Sequence, residues 1–83
     1  MDLVRKPVHE IRRGDVIATV WSNRMTGRHG WYSVTIKRRY MKNWRWQFTS
    51  TLRYADVVNA LRVLRWAHFW IWWRGLAPAR NYW

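Results

Sequence analysis

Arginine, lysine and tryptophan are the residue types through which this chain could recognise another molecule. It has 16 lysine and arginine residues against four aspartate and glutamate residues, a net charge of +12, and nine of its 83 residues are tryptophan. Fixed positive charge attracts phosphates, and flat indole rings can stack on unpaired bases. The composition therefore favours a polyanionic partner, and a nucleic acid above other polyanions.

Acid–base and metal chemistry have little support in the sequence. The only carboxylates are Asp2, Glu10, Asp15 and Asp56. Their spacing pairs none of them as acid and base, and Asp56 falls in a predicted first helical turn, where the helix dipole favours an acid. His9, His29 and His68 share no spacing typical of metal ligands, and the chain has no cysteine. We expect no enzymatic activity, no metal and no cofactor.

Length and charge limit the domain organisation. An 83-residue chain supports one domain with a marginal core, and self-repulsion among its cations weakens that core further. We expect a single domain over residues 1–75, an irregular tail over 76–83, and a second copy of the chain that enlarges the core. There is no secretory signal pattern and no apolar stretch of about 20 residues. The expected location is the cytoplasm, in association with the nucleoid.

Periodicity and turn residues predict four strands. Residues 8–13 read as an edge strand, and residues 15–21 are rich in β-branched and aromatic types that suit a strand. A loop over residues 22–30 separates them from two strongly alternating segments, 31–40 and 44–52. A turn at positions 41 to 43 joins the last two strands.

Alternation assigns the third and fourth strands two unlike faces, because successive strand side chains point in opposite directions. One face is mostly apolar. The other would carry cations, hydroxyls and an indole, and its predicted members are Trp31, Ser33, Thr35, Lys37, Arg39, Arg45, Gln47 and Thr49.

A helix is predicted from Tyr54 to about Trp73, ended by Gly75. A stepping angle of 100° per residue predicts an apolar stripe that covers the apolar face of the sheet. Its members are Val57, Ala60, Leu61, Leu64, Ala67, His68 and Ile71. The predicted fold is therefore α+β, a four-stranded antiparallel sheet followed by one C-terminal helix that covers one face and leaves the other open.

The uncovered face is the predicted binding surface. Arginine and lysine would neutralise phosphates, tryptophan would stack on bases, and Thr35 and Gln47 would donate or accept hydrogen bonds. A charged outer face is also typical of any half-exposed sheet, and the net charge of +12 is what favours a binding surface here. The candidate nucleic-acid-binding residues are Arg12, Trp21, Arg24, Arg28, Trp31, Thr35, Lys37, Arg38, Arg39, Arg45 and Gln47.

The tryptophans of the helix allow three interpretations. They could pack a homodimer, since large aromatics bury much area; lie on an anionic membrane surface; or stack on bases. The predicted dimer-interface residues are Ala60, Val63, Trp66, Ala67, Trp70 and Trp73. Two alternative functions accompany these interpretations, a cationic membrane-surface protein and an adaptor for an acidic protein partner.

Several stretches resemble a known family. They are Lys6 to Arg12, Gly14, Ala18, Trp21, Asn23, Val34-Thr35, Arg38, Tyr40, Trp46, Asp56, Ala67-His68 and Trp70-Ile71. In these, the chain resembles small bacterial proteins that look like the positive cofactor four transcriptional coactivator, with a Whirly-like single-stranded-DNA-binding fold. The resemblance covers roughly residues 6–71. The family is usually more acidic where this chain has Met41, Lys42, Trp44, Arg53 and Tyr54.

That resemblance implies a homodimer whose helices pack near the two-fold axis, and sheets that present ridges to single-stranded or melted DNA. Residues and resemblance together predict a protein that binds single-stranded nucleic acid, DNA before RNA, with little sequence preference. Its expected role is that of an accessory factor in transcription, replication or repair, without a small-molecule substrate.

Overall fold

The computed structural model describes residues 3–25 and 30–74. They form an α+β fold in which a four-stranded antiparallel sheet is followed by one C-terminal helix, as predicted. In sheet order the strands are β1 (Leu3–Arg13), β2 (Val16–Met25), β3 (Trp31–Lys42) and β4 (Arg45–Thr49). A 3-10 turn at Tyr54–Asp56 leads into α1 (Val57–Arg74). The tail predicted over 76–83, and Arg28, lie outside the described residues.

β1 begins well before the predicted residue 8. It starts at Leu3 and runs through Pro7. Proline is tolerated because β1 is at the edge of the sheet, where a missing N–H need not break the ladder. The pairing with β2 shifts register between Pro7 and His9, so β1 is irregular at that point and regular from His9 to Arg13.

β2 continues to Met25, through residues that the sequence predicted as a loop. The buried amide of Asn23 accounts for the extension. Its Nδ2 donates to the Ser33 hydroxyl at 2.9 Å and to the Trp31 carbonyl at 3.2 Å. These bonds tie the end of β2 to the start of β3, so the asparagine serves as a strand anchor rather than a turn residue.

The core lies between β2 and α1. Its buried members are Val16, Ala18, Val20, Ala60, Val63 and Ala67. The predicted helical stripe is therefore only partly right, since Leu61 is 64% exposed and Leu64 42%. Small side chains at positions 60, 63 and 67 let the helix lie close to β2, and the helix is turned so that these residues, rather than the leucines, meet the sheet.

Gly14 permits the same close approach at the other end of the helix. The residue has φ of 58°, and a Cβ added there would lie 2.9 Å from the side-chain nitrogen of Asn59. The left-handed backbone and the neighbouring helix both favour glycine at this β1–β2 turn.

α1 packs mainly across β1 and β2 and leaves the β3–β4 hairpin projecting beyond it. All residues from 41 to 48 are exposed. The hairpin turns at Asn43 and Trp44, which have φ of 52° and 64°. Positive φ at both central residues is typical of a two-residue type I′ turn, for which Asn-Gly is the preferred sequence. Trp44 therefore occupies a glycine position, and its side chain is 94% exposed.

Replacing Trp44 with glycine should stabilise the fold. A non-glycine residue in the left-handed region costs roughly 1–2 kcal/mol, partly offset by the extra freedom of glycine in the unfolded chain. We expect the free energy of unfolding to rise by about 0.5–1 kcal/mol in a urea titration. Trp46→Gly, made within β4, should lower it. A Trp44→Gly chain that is less stable would show that the indole makes a stabilising contact.

Candidate nucleic-acid interface

The sheet has one face turned away from α1, which we call the open face. Val16, Ala18 and Val20 point toward the helix, so the alternate residues of β2 and their partners on β3 point the other way. Residues brought together on the open face are Arg5, Arg12, Ile17, Thr19, Trp21, Asn23, Trp31, Ser33, Thr35, Lys37, Arg39, Trp46 and Phe48.

Six of the predicted binding residues meet there, and Arg12 is the one that lies on β1. Trp21 lies opposite Ser33. Trp31, Thr35, Lys37 and Arg39 lie on the same side of β3. The Trp21 ring nitrogen on β2 donates to the Thr35 hydroxyl on β3 at 2.8 Å. This hydrogen bond between neighbouring strands fixes the orientation of the indole. The open face therefore presents an oriented indole beside a row of cations.

Each of three aromatic rings on the open face has a cation over it. The Arg39 guanidinium carbon lies 4.3 Å from the centre of the Trp46 ring, and the Lys37 ammonium lies 4.1 Å from that of Phe48. Toward the β1 edge of the same face, the Arg5 guanidinium carbon lies 4.2 Å from the centre of the Trp21 ring. These are close cation–π distances, so each of the three rings has a cation beside it on the same face.

Arg45 and Gln47 are not on the open face, contrary to the prediction. The turn at Asn43 and Trp44 pairs Lys42 with Arg45 and Tyr40 with Gln47, which places both on the helix side of the sheet. The predicted turn had three residues, 41 to 43, whereas the observed turn has two, Asn43 and Trp44. An odd change in register exchanges the two faces of a strand.

Trp46 and Phe48 occupy the open face in their place, and neither was among the predicted binding residues. The positive-φ preference of Asn43 was the signal for the correct turn, since asparagine favours such turns.

Arg38 and Arg24 also point to the helix side. The Arg38 Nε lies 3.3 Å from the Asp56 carboxylate and donates to the Thr51 carbonyl at 3.2 Å. It holds the segment between β4 and α1 against the sheet, so its predicted role in binding phosphate is wrong. Arg24 pairs with Val4, on the side of the sheet opposite Lys37.

Asp56 is buried at the start of the helical segment. Its carboxylate accepts from the Arg53 backbone N–H and Nε, both at 3.0 Å. The hydrogen bond from Arg53 is the largest cause that lowers the pKa of Asp56, the charges of Arg53 and Arg38 act in the same direction, and burial opposes them. The carboxylate is therefore a structural anion that links strand, loop and helix.

Acid should destabilise the fold through Asp56. Its pKa in the folded chain is below the unfolded value of about 3.9, so its stabilising contribution is fully present above that value. It is lost as the pH falls through the folded pKa. The melting temperature should drop below about pH 4, and Asp56→Asn should flatten that drop. Glu10→Gln, at an exposed carboxylate that forms no ion pair within residues 3–25 and 30–74, is the control. Parallel acid profiles for wild type and Asp56→Asn would contradict this role.

The predicted dimer interface is wrong for half of its residues. Ala60, Val63 and Ala67 are buried against the sheet of their own chain, so they have no surface to offer a second copy. Trp70 is half-buried, stacked on His9 at 5.1 Å, while Trp66 and Trp73 remain exposed beside β1.

The helix exposes a different set of residues to solvent. Val57, Leu61, Leu64 and His68 form an exposed stripe along α1.

Comparison with protein-family models, curated proteins and solved structures gives no match. The resemblance noted in the sequence therefore stays a hypothesis, and function rests on the geometry of the site. Among residues 3–25 and 30–74, no helix combines the length and apolar composition needed to cross a membrane. The same residues bring together no group of three or more histidine and acidic side chains that could hold a metal.

Proposed function

We propose that the chain binds single-stranded nucleic acid on the open face, DNA before RNA, with little sequence preference. The observation that carries the proposal is the set of three cation–aromatic pairs formed by Arg39, Lys37 and Arg5 with their rings. One surface thus offers both groups that a single strand requires, flat rings for bases and cations for phosphates.

The energies of the two kinds of contact favour replacement of a cation by a base as the partner of each aromatic ring. An exposed cation–π pair contributes about 0.5–1 kcal/mol, whereas stacking of an aromatic ring on a base contributes roughly 1–3 kcal/mol. A base can therefore displace Arg39 from Trp46, or Lys37 from Phe48. The displaced cation stays within reach of the phosphate that enters with the base. In the free protein the pairs hold the rings exposed and the cations close to them.

Weak sequence preference follows from the polar groups of the open face. The Asn23 amide is occupied by Ser33 and Trp31, and the Thr35 hydroxyl already accepts from Trp21. Few side-chain groups remain to read base edges by hydrogen bonding, which is the usual source of sequence discrimination. Stacking tolerates every base, so affinity should vary little with sequence.

A fluorescence anisotropy titration tests the proposal. Labelled oligo-dT should bind at low salt, and an unlabelled single strand should compete better than a duplex of equal total charge, because duplex bases are already stacked and cannot reach Trp46 or Phe48. Equal competition by the two would reduce the interaction to charge attraction alone and overturn the proposal.

Homodimer formation is proposed as part of this function, on the exposed stripe of α1. Val57, Leu61, Leu64 and His68 are spaced at intervals of four, three and four residues, the spacing by which two helices pack together. Dimerisation would place two open faces on one particle.

Light scattering on the chain tests the dimer. Leu61→Glu with Leu64→Glu should halve the molar mass, while Val58→Glu, at an exposed apolar residue away from the stripe, should leave it unchanged. A wild-type monomer would rule out the dimer and leave the open face to act alone.

A further inference from the structure

A groove separates the C-terminal half of α1 from the outer edge of β1, on the side of the molecule away from the hairpin. It has a volume of about 670 Å³. Its wall is formed by helix side chains at intervals of three and four residues, Trp66, Phe69, Trp70 and Trp73, and its other side by the edge segment His9 to Arg13. None of these rings belongs to the open face, so the proposed function leaves the groove without a role.

The backbone of the edge segment is available for pairing. β1 is the first strand of the sheet order, and no segment among residues 3–25 and 30–74 pairs with its outer side. An unpaired edge presents alternate N–H and C=O groups to an added strand. The irregularity at Pro7 and His9 ends where the groove begins, so the edge is regular from His9 to Arg13.

Charge indicates what fits the groove. The edge carries Arg12 and Arg13 against the single acid Glu10, and Arg74 lies 5.0 Å from the Trp70 ring at the end of the helix. Within the described ranges none of these arginines makes an ion pair. A second copy of the chain would add a further net charge of +12 and would leave this excess uncompensated. An acidic segment would neutralise it.

We propose that the groove binds an acidic peptide as an added β-strand beside β1, with alternate apolar side chains against the aromatic wall of α1. Main-chain hydrogen bonds to the edge would supply affinity, and the rings would select large apolar side chains at every second position. Carboxylates on the other side of the peptide would meet Arg12. Arg12 borders both surfaces, but the aromatic wall of the groove is separate from the rings of the open face, so the chain can hold a peptide and a nucleic acid at the same time.

The probe is a labelled peptide of about ten residues in which glutamate alternates with valine or phenylalanine, titrated against the full chain by anisotropy. Trp66→Ala with Phe69→Ala should weaken its binding about tenfold or more, because both exposed rings form the wall. N-methylation of alternate peptide amides should have a similar effect, because it blocks strand pairing without changing charge. Trp46→Ala with Phe48→Ala, on the open face, should leave peptide binding unchanged.

Four results would overturn the proposal. Equal binding of the N-methylated peptide would exclude strand addition, and equal binding of a lysine-for-glutamate peptide would exclude charge recognition. A change of molar mass in the Trp66→Ala, Phe69→Ala chain would assign the groove to a second copy. Binding to vesicles with anionic lipid that needs Trp66 and Phe69, without peptide binding, would assign it to a membrane surface. Binding of oligo-dT by the same variant reports separately on the proposed function.

Discussion

Replacing both Trp46 and Phe48 with alanine should weaken the binding of oligo-dT by at least about 30-fold, since each stacked base contributes roughly 1–3 kcal/mol. Both rings are about half exposed on the projecting hairpin, so their removal should cost little stability. Arg39 and Lys37 lose their ring partners in this variant but keep their charge. The dependence of affinity on salt should therefore stay as in the wild type while the affinity itself falls. Anisotropy titrations at several salt concentrations measure both quantities.

Trp72→Ala is the matched control for this loss. The residue is exposed to a similar extent, 53% against 49% for Trp46, and it lies on the helix rather than on the open face. The Trp72→Ala variant should bind oligo-dT with the affinity of the wild type. A similar loss in both variants would mean that tryptophan content, and not the open face, governs the interaction.

Replacing Lys37 and Arg39 with alanine should produce the complementary result. Each phosphate contact on a single strand contributes about 0.7 to the slope of log affinity against log salt. Two lost contacts should reduce the slope by about 1.4. If the variant and the wild type bind equally at 1 M salt, the variant should therefore bind about 25-fold more weakly at 0.1 M. Quenching of tryptophan fluorescence at saturation should persist, because Trp46 still stacks.

Arg62→Ala with Arg65→Ala is the control for the salt experiment. This double substitution removes the same charge from exposed positions on α1. It should lower the affinity slightly, because long-range attraction is reduced, and it should change the slope by much less than about 1.4. A slope that falls equally in both variants would place the phosphates around the whole molecule instead of on the open face.

The sequence predicted the existence and order of the elements because their periodicities are strong. Alternation in β3 correctly separated Lys37 and Arg39 from Val34 and Ile36. It could not settle β4, since its face depends on the position of a two-residue turn. A two-residue turn at 43 and 44, in place of the predicted three-residue turn at 41 to 43, puts Trp46 on the open face instead of Arg45.

The helix illustrates a second limit. Its apolar residues are spread around the helix, so a stepping angle alone does not decide which of them meet the sheet. The small residues Ala60 and Ala67 decided it, through the close approach that they allow. The buried carboxylate of Asp56 was equally hidden, because its partners Arg38 and Arg53 meet it only in the folded chain.

Photocrosslinking tests the central claim most directly. Oligo-dT containing 5-iododeoxyuridine, irradiated in complex with the wild-type chain and analysed by mass spectrometry, reports which aromatic rings touch bases. We expect crosslinks at Trp46, Phe48 and Trp21. Crosslinks confined to Trp66 and Trp73, beside α1, would contradict the assignment of the open face as the nucleic-acid surface.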